Sequence, residues 1–335
     1  MTDGTHDHHR LLLAGLALLV VALSVASVLI GYAPLDLGAA VLDLLAGRAS
    51  LPALVLAELR IPRAVLGAAV GFSLGVTGAA LQGLMRNPIA DPGIVGVSGA
   101  AALGAVVAFY FGFSAAFALA LPLGGLIGAG IATVFLLSVA RSGADTATLI
   151  LAGVAINALA GALTALALNL APSPYAALEV VFWLMGSLAD RSLVHVALAL
   201  PFMVLGWALV LSSARAMDAL TLGEDAAHSL GFSLKRVRLV VVGGTAAAVG
   251  ASVAVAGAIG FVGLVVPHLM RPLVGHRPGR LLLASGLAGA ALTLGADIVV
   301  RLVPTRPELK LGVITAIIGA PFFLAMLRRL KVEGP

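Results

Sequence analysis

Apolar runs of about 20 residues recur along the whole chain, and they decide its fold class. A helix rises roughly 1.5 Å per residue, so about 20 apolar residues cross the roughly 30 Å hydrocarbon core of a bilayer. Charged residues make up only 10% of the 335 positions, against about 25% in soluble domains. The alternating pattern of barrel strands is absent from the sequence. An all-α integral membrane protein is therefore predicted, with residues 1–335 forming one domain.

Ten apolar runs are predicted to cross the membrane, which places both chain ends on one side. The first, Leu11–Ile30, exceeds the about 7 to 15 apolar residues of a cleavable signal peptide and is interpreted as a retained span. A cytoplasmic N-terminal tail of residues 1–10 puts 13 of the 20 Lys and Arg residues inside and seven outside, as the positive-inside rule favours. The predicted spans are approximately residues 11–30, 62–84, 93–112, 117–139, 148–170, 193–213, 235–255, 258–275, 281–300 and 312–329.

Glycine is the most informative residue type within these runs, with 40 copies in the chain. Lipid provides no hydrophobic effect between helices, so close packing depends on small residues that let two backbones approach. Gly67, Gly71 and Gly75 recur every four residues and share one helix face. This repeat predicts a backbone-to-backbone contact along the second span.

The longest polar interruption, Ala214–Arg238, lies between two spans and must be in water. Ala226, Ala227 and Leu230 fall on one face of a predicted short helix whose other face is acidic and polar, and Gly231 stands where a helix stops. An amphipathic helix of this kind suits a groove on a soluble partner. The alternative is an ordinary polar loop.

Two further loops carry turn signals on the predicted cytoplasmic side. Arg86–Ala100 contains two prolines that follow Asn or Asp and a glycine-rich helix entry, which predicts a rigid turn at the mouth of the bundle. In Gly257–Arg271, Pro267 frees a backbone carbonyl of the eighth predicted span. His268 or Arg271 is expected to bond to that carbonyl.

The residues needed for enzymatic chemistry are missing. A phosphate-binding loop requires a lysine preceded by glycine, and Lys235, Lys310 and Lys331 each follow leucine. With no cysteine, thiolate metal ligands are excluded. The basic residues flank spans without interleaved aromatics, which argues against nucleic acid. No catalytic, metal or cofactor site and no nucleic-acid partner are predicted.

Asp297 is the one acid that the predicted spans place inside the membrane, and Arg301 one turn later is expected to pair with it. Ion-coupled carriers usually hold ionisable groups at mid-membrane, so their scarcity counts against an ion-coupled secondary transporter of a small solute without excluding it. A membrane receptor or scaffold is a third alternative. On the outer side, Arg60 and Arg63 can point the same way, towards a partner or as anchors among lipid headgroups. Glu58 or Asp297 can also neutralise these arginines within the chain.

Several of these stretches together resemble one family, the FecCD-type permeases of ABC importers for iron-siderophores, haem and cobalamin. The resemblance covers nearly the whole chain. It rests on LRIPR near Arg60, LQGLMRNPIADPGIVGVSGA from Leu81, LILAGVAINA from Leu149, LGEDAAHSLG from Leu222, GFVGLVVPHLMR from Gly260 and LGVITAIIGAPFFLAML from Leu311.

The resemblance implies a ten-span type II importer permease that works as a homodimer in the bacterial inner membrane, with both termini in the cytoplasm. The translocation path lies between the two copies. Two ATP-binding-cassette subunits, which carry ATP and Mg, attach inside, and a periplasmic binding protein docks outside. The transported substrate implied is a metal chelate that moves from periplasm to cytoplasm.

The resemblance also assigns residues to three sites. The ATPase is gripped by a coupling loop of about 214–234, a cytoplasmic gate controls the path, and three outer arginines dock the binding protein. The coupling residues implied are Leu222, Gly223, Glu224, Asp225, Ala226, Ala227, Leu230 and Gly231; those of the gate are Asn87, Ile89, Thr146 and Ala147; those of docking are Arg60, Arg63 and Arg301.

Overall fold

The computed structural model describes residues 3–31, 35–171, 173–305 and 307–332. The first two residues of the predicted tail and the last three of the chain lie outside these ranges. Regular structure within them is helical throughout. The α-helices are α1 (Asp3–Leu29), α2 (Leu37–Leu45), α3 (Leu51–Val55), α4 (Ile61–Met85), α5 (Val97–Tyr110), α6 (Phe113–Ala116), α7 (Ala120–Arg141), α8 (Thr146–Asn169), α9 (Pro174–Leu184), α10 (Leu193–Ser212), α11 (Ala214–Leu220), α12 (Glu224–Ser229), α13 (Leu234–Ala256), α14 (Val262–Met270), α15 (Pro278–Leu302) and α16 (Leu311–Val332).

Seven helical segments of the described chain are long and apolar enough to cross a membrane. The prediction of an all-α, multi-pass membrane protein is therefore confirmed. The segments are Asp7–Leu29, Leu51–Met85, Ala120–Arg141, Thr146–Asn169, Leu193–Ser212, Leu234–Ala256 and Pro278–Leu302.

Two predicted spans contain helices too short to cross. The run 93–112 holds only the 14 residues of α5, because Pro92–Val95 form a 3₁₀ turn and Gly96 is left-handed at φ 81°. The run 258–275 holds only the nine residues of α14, which begins after a left-handed Phe261 at φ 67°. Both runs enter the bundle as irregular backbone and become helical part-way. The count of ten crossings stays a prediction.

The predicted glycine contact is confirmed between α4 and α15. A Cβ atom on Gly71 would lie 2.3 Å from the carbonyl oxygen of Gly289, and one on Gly75 would lie 2.0 Å from that of Ser285. Real Cβ contacts are essentially never below 3.0 Å. Because these positions lack a side chain, the two backbones lie in direct contact along the centre of the bundle.

Helix α4 is the centre of the packing, and most of its residues are buried. Besides α15, it packs against α13, α14 and α10. Its hydroxyl groups bond to its own backbone, as Ser73 Oγ does to the Ala69 carbonyl at 2.8 Å. The Trp207 indole nitrogen of α10 then donates to Ser73 Oγ, also at 2.8 Å. These bonds satisfy polar groups that lipid or apolar side chains would leave unpaired.

The bundle has two polar ends. We name the coupling end after the coupling loop; it also holds the NP turn (Arg86–Gly96), the α7–α8 turn (Ser142–Asp145) and the α14–α15 connection. We name the other end the arginine end, where the last turn of α1, the start of α4 and the last turn of α15 meet.

Candidate functional site

The coupling loop folds into two short helices, α11 and α12, and the second is the helix that the amphipathic pattern predicts. Helix α12 begins after Gly223, whose φ of 115° is open only to glycine, and carries Glu224 and Asp225 in its first turn, where acids favour the helix dipole. The helix ends before Gly231, which is left-handed at φ 86°, and the predicted stop at this glycine is confirmed.

The apolar face predicted for α12 is divided by the structure. Ala227 is completely buried within the chain, and its carbonyl accepts the Phe232 amide at 3.1 Å. Leu230 is 61% exposed and Leu222 is 71% exposed. The prediction that Ala227 and Leu230 present one face to a partner is therefore wrong, because the helix uses Ala227 to seat itself on its own protein. The exposed apolar groups available to a partner are the two leucines.

Arg238, at the start of α13, connects the coupling loop to the α7–α8 turn. Its Nη2 lies 3.3 Å from Glu224 Oε1, and its Nη1 donates to the Ala144 carbonyl at 3.4 Å. Ala144 is two residues before Thr146, one of the predicted gate residues. Sequence reasoning counted Arg238 only among the positive charges beside a span, since nothing local in the sequence signals these distant partners.

Arg86 makes the corresponding connection to the NP turn. It ends α4 in a left-handed conformation at φ 48°, and its Nη2 donates to the Leu220 carbonyl at the end of α11 at 2.5 Å. The next residue, Asn87, accepts a hydrogen bond from the Ile89 amide at 3.0 Å through Oδ1. This bond fixes the turn that carries these two of the four predicted gate residues. The coupling loop is thus hydrogen-bonded directly to Arg86 of the NP turn and, through Arg238 of α13, to the turn that precedes Thr146.

Thr146 and Ala147 form the first turn of α8, and Asp145 is its N-cap. The Asp145 carboxylate accepts the Thr148 amide at 2.8 Å. Hydrogen bonds from the Thr148 side chain and amide lower the pKa of Asp145, so the capping group is ionised at neutral pH. The cap fixes where α8 starts and therefore where the two gate residues lie.

The NP turn continues into the bundle and meets α8. A Cβ on Gly96 would lie 2.4 Å from the Gly153 carbonyl oxygen of α8, and Asp91 accepts the Gly93 amide at 2.8 Å. The expected rigid turn is present, but it extends inward from the mouth of the bundle. Its rigidity comes from these contacts as well as from its prolines.

Pro267 frees a carbonyl as predicted, but the expected partners of that carbonyl are wrong. Gln82 Nε2 of α4 donates to the carbonyls of Gly263 and Leu264 at 3.4 and 3.3 Å. Arg271 instead donates to Gln82 Oε1 at 2.6 Å. Gln82 is buried among apolar residues of α4, where a sequence pattern gives no reason to single it out.

The three predicted docking arginines converge at the arginine end. Arg63 bonds to Asp297 through Nε at 3.1 Å and Nη2 at 2.9 Å, and it also pairs with Glu308. Arg301 pairs with Asp297 at 2.9 Å, which confirms the predicted i,i+4 ion pair. Two acids of the chain thus lie among the arginines.

Two of these arginines also hold the last turn of α1. Arg60 Nη1 donates to the Val28 and Leu29 carbonyls, each at 3.0 Å, and Arg301 Nη1 donates to the Ser27 and Ile30 carbonyls at 2.7 and 2.6 Å. Arg60 and Arg301 are 7% and 6% exposed, and the Arg63 side chain is 12% exposed. This burial favours the alternative in which groups of the chain itself, and not a partner, bond to these guanidinium groups.

A family model describes nearly the entire chain. The FecCD transport family matches residues 6–329. The chain belongs to the FecCD transport family. Family membership confirms the resemblance inferred from the sequence motifs, and the NP turn and the coupling loop are parts of a FecCD transmembrane permease.

Curated FecCD relatives have different named substrates. The cobalamin import system permease protein BtuC of Halobacterium salinarum is 43% identical over 283 residues, covering 84% of this chain and 75% of that protein. The Fe(3+) dicitrate transport system permease protein FecD of Escherichia coli is 40% identical, covering 83% and 86%. The hemin transport system permease protein HmuU of Yersinia pestis is 38% identical, covering 82% and 84%.

A solved structure has the same fold. It is described as an inward-facing conformation of a metal-chelate type ABC transporter, with a TM-score of 0.82 at 31% identity. The match covers 95% of this chain and 98% of the solved one. The fold and the family thus agree on an ABC transporter permease.

Proposed function

We propose that this permease moves a bulky metal chelate, of the haem, siderophore or cobalamin class, from the periplasm to the cytoplasm. It works as a homodimer in the bacterial inner membrane, with both termini in the cytoplasm. Two separate ATP-binding subunits hold ATP and Mg and carry out hydrolysis, and a periplasmic binding protein delivers the chelate. The named substrates of the relatives support the chelate class and leave its individual member open.

The observation that carries this proposal is the hydrogen-bonded frame at the coupling end. A displacement of α12 by an ATPase is transmitted through Glu224 and Arg238 to the α7–α8 turn, and a displacement of α11 through Arg86 to the NP turn. The predicted gate residues lie on these turns or directly after them. Asn87 and Ile89 lie on the NP turn, and Thr146 and Ala147 directly follow the α7–α8 turn. The proposed gate therefore moves with the proposed coupling loop.

The second copy is supported by α8. Its most apolar window is only 17% buried in the single chain, and midway along it Asn157 is an exposed residue, although its Oδ1 packs on Gly99 of α5. An amide that faces lipid is costly because the hydrocarbon offers no hydrogen-bond partner. We infer that this face of α8 meets the other copy or the water-filled path between the copies.

Docking of the binding protein at the arginine end carries a condition. Arg60, Arg63 and Arg301 are largely buried against the α1 carbonyls, Asp297 and Glu308, so partner carboxylates reach them by exchanging these bonds. Exchange of one carboxylate for another preserves charge pairing, so the proposal remains physically consistent. Reduced binding-protein affinity after Arg63→Gln, with unchanged basal ATP hydrolysis, is the result that supports it.

The coupling assignment is tested by replacing both exposed leucines with aspartate. Each leucine buried at an interface contributes about 1.5–3 kcal/mol, and a buried unpaired charge costs more. The Leu222→Asp, Leu230→Asp variant should insert normally yet fail to co-purify with its ATP-binding subunit. Leu45→Asp, at an 81% exposed leucine of α2 outside the coupling loop, should co-purify normally. Equal co-purification of both variants contradicts the assignment.

The substrate class is tested by uptake into vesicles that contain the whole assembly. Haem, a ferric siderophore and cobalamin are supplied in parallel, with and without ATP. ATP-dependent accumulation of one chelate supports the proposal and identifies the substrate. If uptake of a small solute instead follows an imposed proton or sodium gradient without ATP, the chain is an ion-coupled carrier and the proposal fails.

A further inference from the structure

A cationic cavity of about 210 Å³ lies at the coupling end, beside the contacts described above. It is enclosed by the end of α4, the NP turn, α11 and the start of α15. Arg86, Arg271 and His276 line it, together with neutral and apolar residues, and no acid is among its lining residues. The cavity therefore concentrates positive charge without a counter-charge in its wall.

Both arginines are held by neutral acceptors. Arg86 donates to the Leu220 carbonyl and Arg271 to Gln82 Oε1, and neither forms an ion pair within the described ranges. A guanidinium group has five N–H donors, so each arginine retains donors beyond the bond that positions it. These bonds hold the two side chains in place and leave further N–H groups for a ligand.

An acid on the helix beside the cavity is already engaged. Asp218 of α11 accepts the Gly279 amide at the start of α15 at 2.8 Å, and it is absent from the cavity wall. His276 adds a third group that can donate a hydrogen bond, and it is fixed in a left-handed conformation at φ 58°. The wall thus offers three donor side chains from two segments, the end of α4 and the α14–α15 connection, around one small volume.

We propose that this cavity binds a phosphate group. Two guanidinium groups bind tetrahedral oxyanions through pairs of parallel N–H donors, a geometry that an ammonium or a neutral donor does not supply. Like charges in a concave, partly buried wall also raise the local potential for anions. Since α4 and α14 end here and α15 begins here, the cavity lies where spans leave the membrane. Both an anionic lipid headgroup and free phosphate have access at this depth.

Binding is measured on the purified full-length chain with two probes, dioctanoyl phosphatidylglycerol and inorganic phosphate. Arg86→Gln and Arg271→Gln should each raise the dissociation constant at least tenfold. Arg215→Gln removes the same charge from an exposed position of α11 that does not line the cavity, and it should change the constant less than twofold. Tight binding of the lipid alone identifies a headgroup site, whereas binding of both probes with the same dependence on the arginines identifies a site for free phosphate.

Hydrogen exchange on the wild-type chain locates the bound probe without relying on variants that fail to fold. Protection is expected in residues 86–90 and 271–277 when the probe is added. The proposal is overturned if neither probe binds, if all three variants lose affinity equally, or if protection appears only elsewhere. If both probes fail to bind the free chain and Arg271→Gln loses binding of the ATP-binding subunit, the occupant of the cavity is an acidic side chain of that subunit and not a phosphate group.

Discussion

The contact between α4 and α15 allows a sharp prediction about Gly75. An added Cβ would lie 2.0 Å from the Ser285 carbonyl oxygen, and at least 3.0 Å is needed, so the backbones must separate by about 1 Å at this point. The obstacle is backbone, which cannot rotate away as a side chain can. Overpacking of this kind costs about 1–3 kcal/mol.

A matched control lies on the partner helix. A Cβ on Gly295 of α15 meets nothing within 4 Å, so Gly295→Ala should only gain the about 0.5–1 kcal/mol by which alanine favours a helix. Gly75→Ala shares that gain but adds the overlap. The two variants should therefore differ in unfolding free energy by about 1–3 kcal/mol, with Gly75→Ala the less stable.

Unfolding of both variants in mixed micelles of mild detergent and dodecyl sulfate measures this difference, with the yield of folded protein as a second readout. Transport in vesicles should fall with Gly75→Ala and remain with Gly295→Ala. If the two variants unfold at the same denaturant fraction, the bundle accommodates the added atom and the argument from close backbone contact is refuted.

Three further predictions concern polar groups. Arg238→Gln should lower the amount of substrate carried per ATP hydrolysed by about fivefold. The reason is that an exposed ion pair and one hydrogen bond together contribute about 1 kcal/mol. Arg236→Gln, at an exposed neighbour, should leave the substrate carried per ATP unchanged. Asp145→Ala should speed amide exchange in the first turn of α8 at neutral pH, and the difference from wild type should vanish in acid. The pKa of Asp145 is lowered in the folded chain, so the stability that its carboxylate contributes as the cap is lost as the pH falls through that pKa. Arg63→Gln should lower the unfolding free energy by about 2–4 kcal/mol because it leaves buried carboxylates short of a partner. Arg48→Gln is the control, because Arg48 is 76% exposed and lies 3.6 Å from Asp43, and it should unfold like wild type.

Features set by neighbours along the chain could be predicted from the sequence. The long spans follow from hydrophobicity alone, and the contact through Gly71 follows from a four-residue repeat on one helix face. The short coupling helix follows from its apolar spacing and from Gly231. The pairing of Asp297 with Arg301 follows from a separation of four residues. Each of these depends on helix geometry, which a local pattern determines.

Features that depend on distant contacts could not be predicted. The short helix α14 begins late because the preceding backbone packs within the bundle, although its sequence is as apolar as that of a span. Ala227 and Leu230 differ in exposure through the position of the rest of the chain, which spacing on one helix does not reveal. Arg238 and Gln82 gain their roles from partners 94 and 181 residues away. Only the folded arrangement brings these groups together.

The hydrogen bonds from Arg60 and Arg301 to the end of α1 have a consequence for biosynthesis. Helix α1 leaves the ribosome before α4 and α15, which are adjacent to the arginines that hold its last turn or carry them, and only 6% of its apolar window is buried. Arg60 follows the end of α1 by about 30 residues, whereas Arg301 follows it by about 270. Before Arg301 is synthesised, the Ser27 and Ile30 carbonyls lack the guanidinium donor that holds them in the folded chain. The last turn of α1 is therefore fully held only after α15 has been synthesised, long after α1 itself.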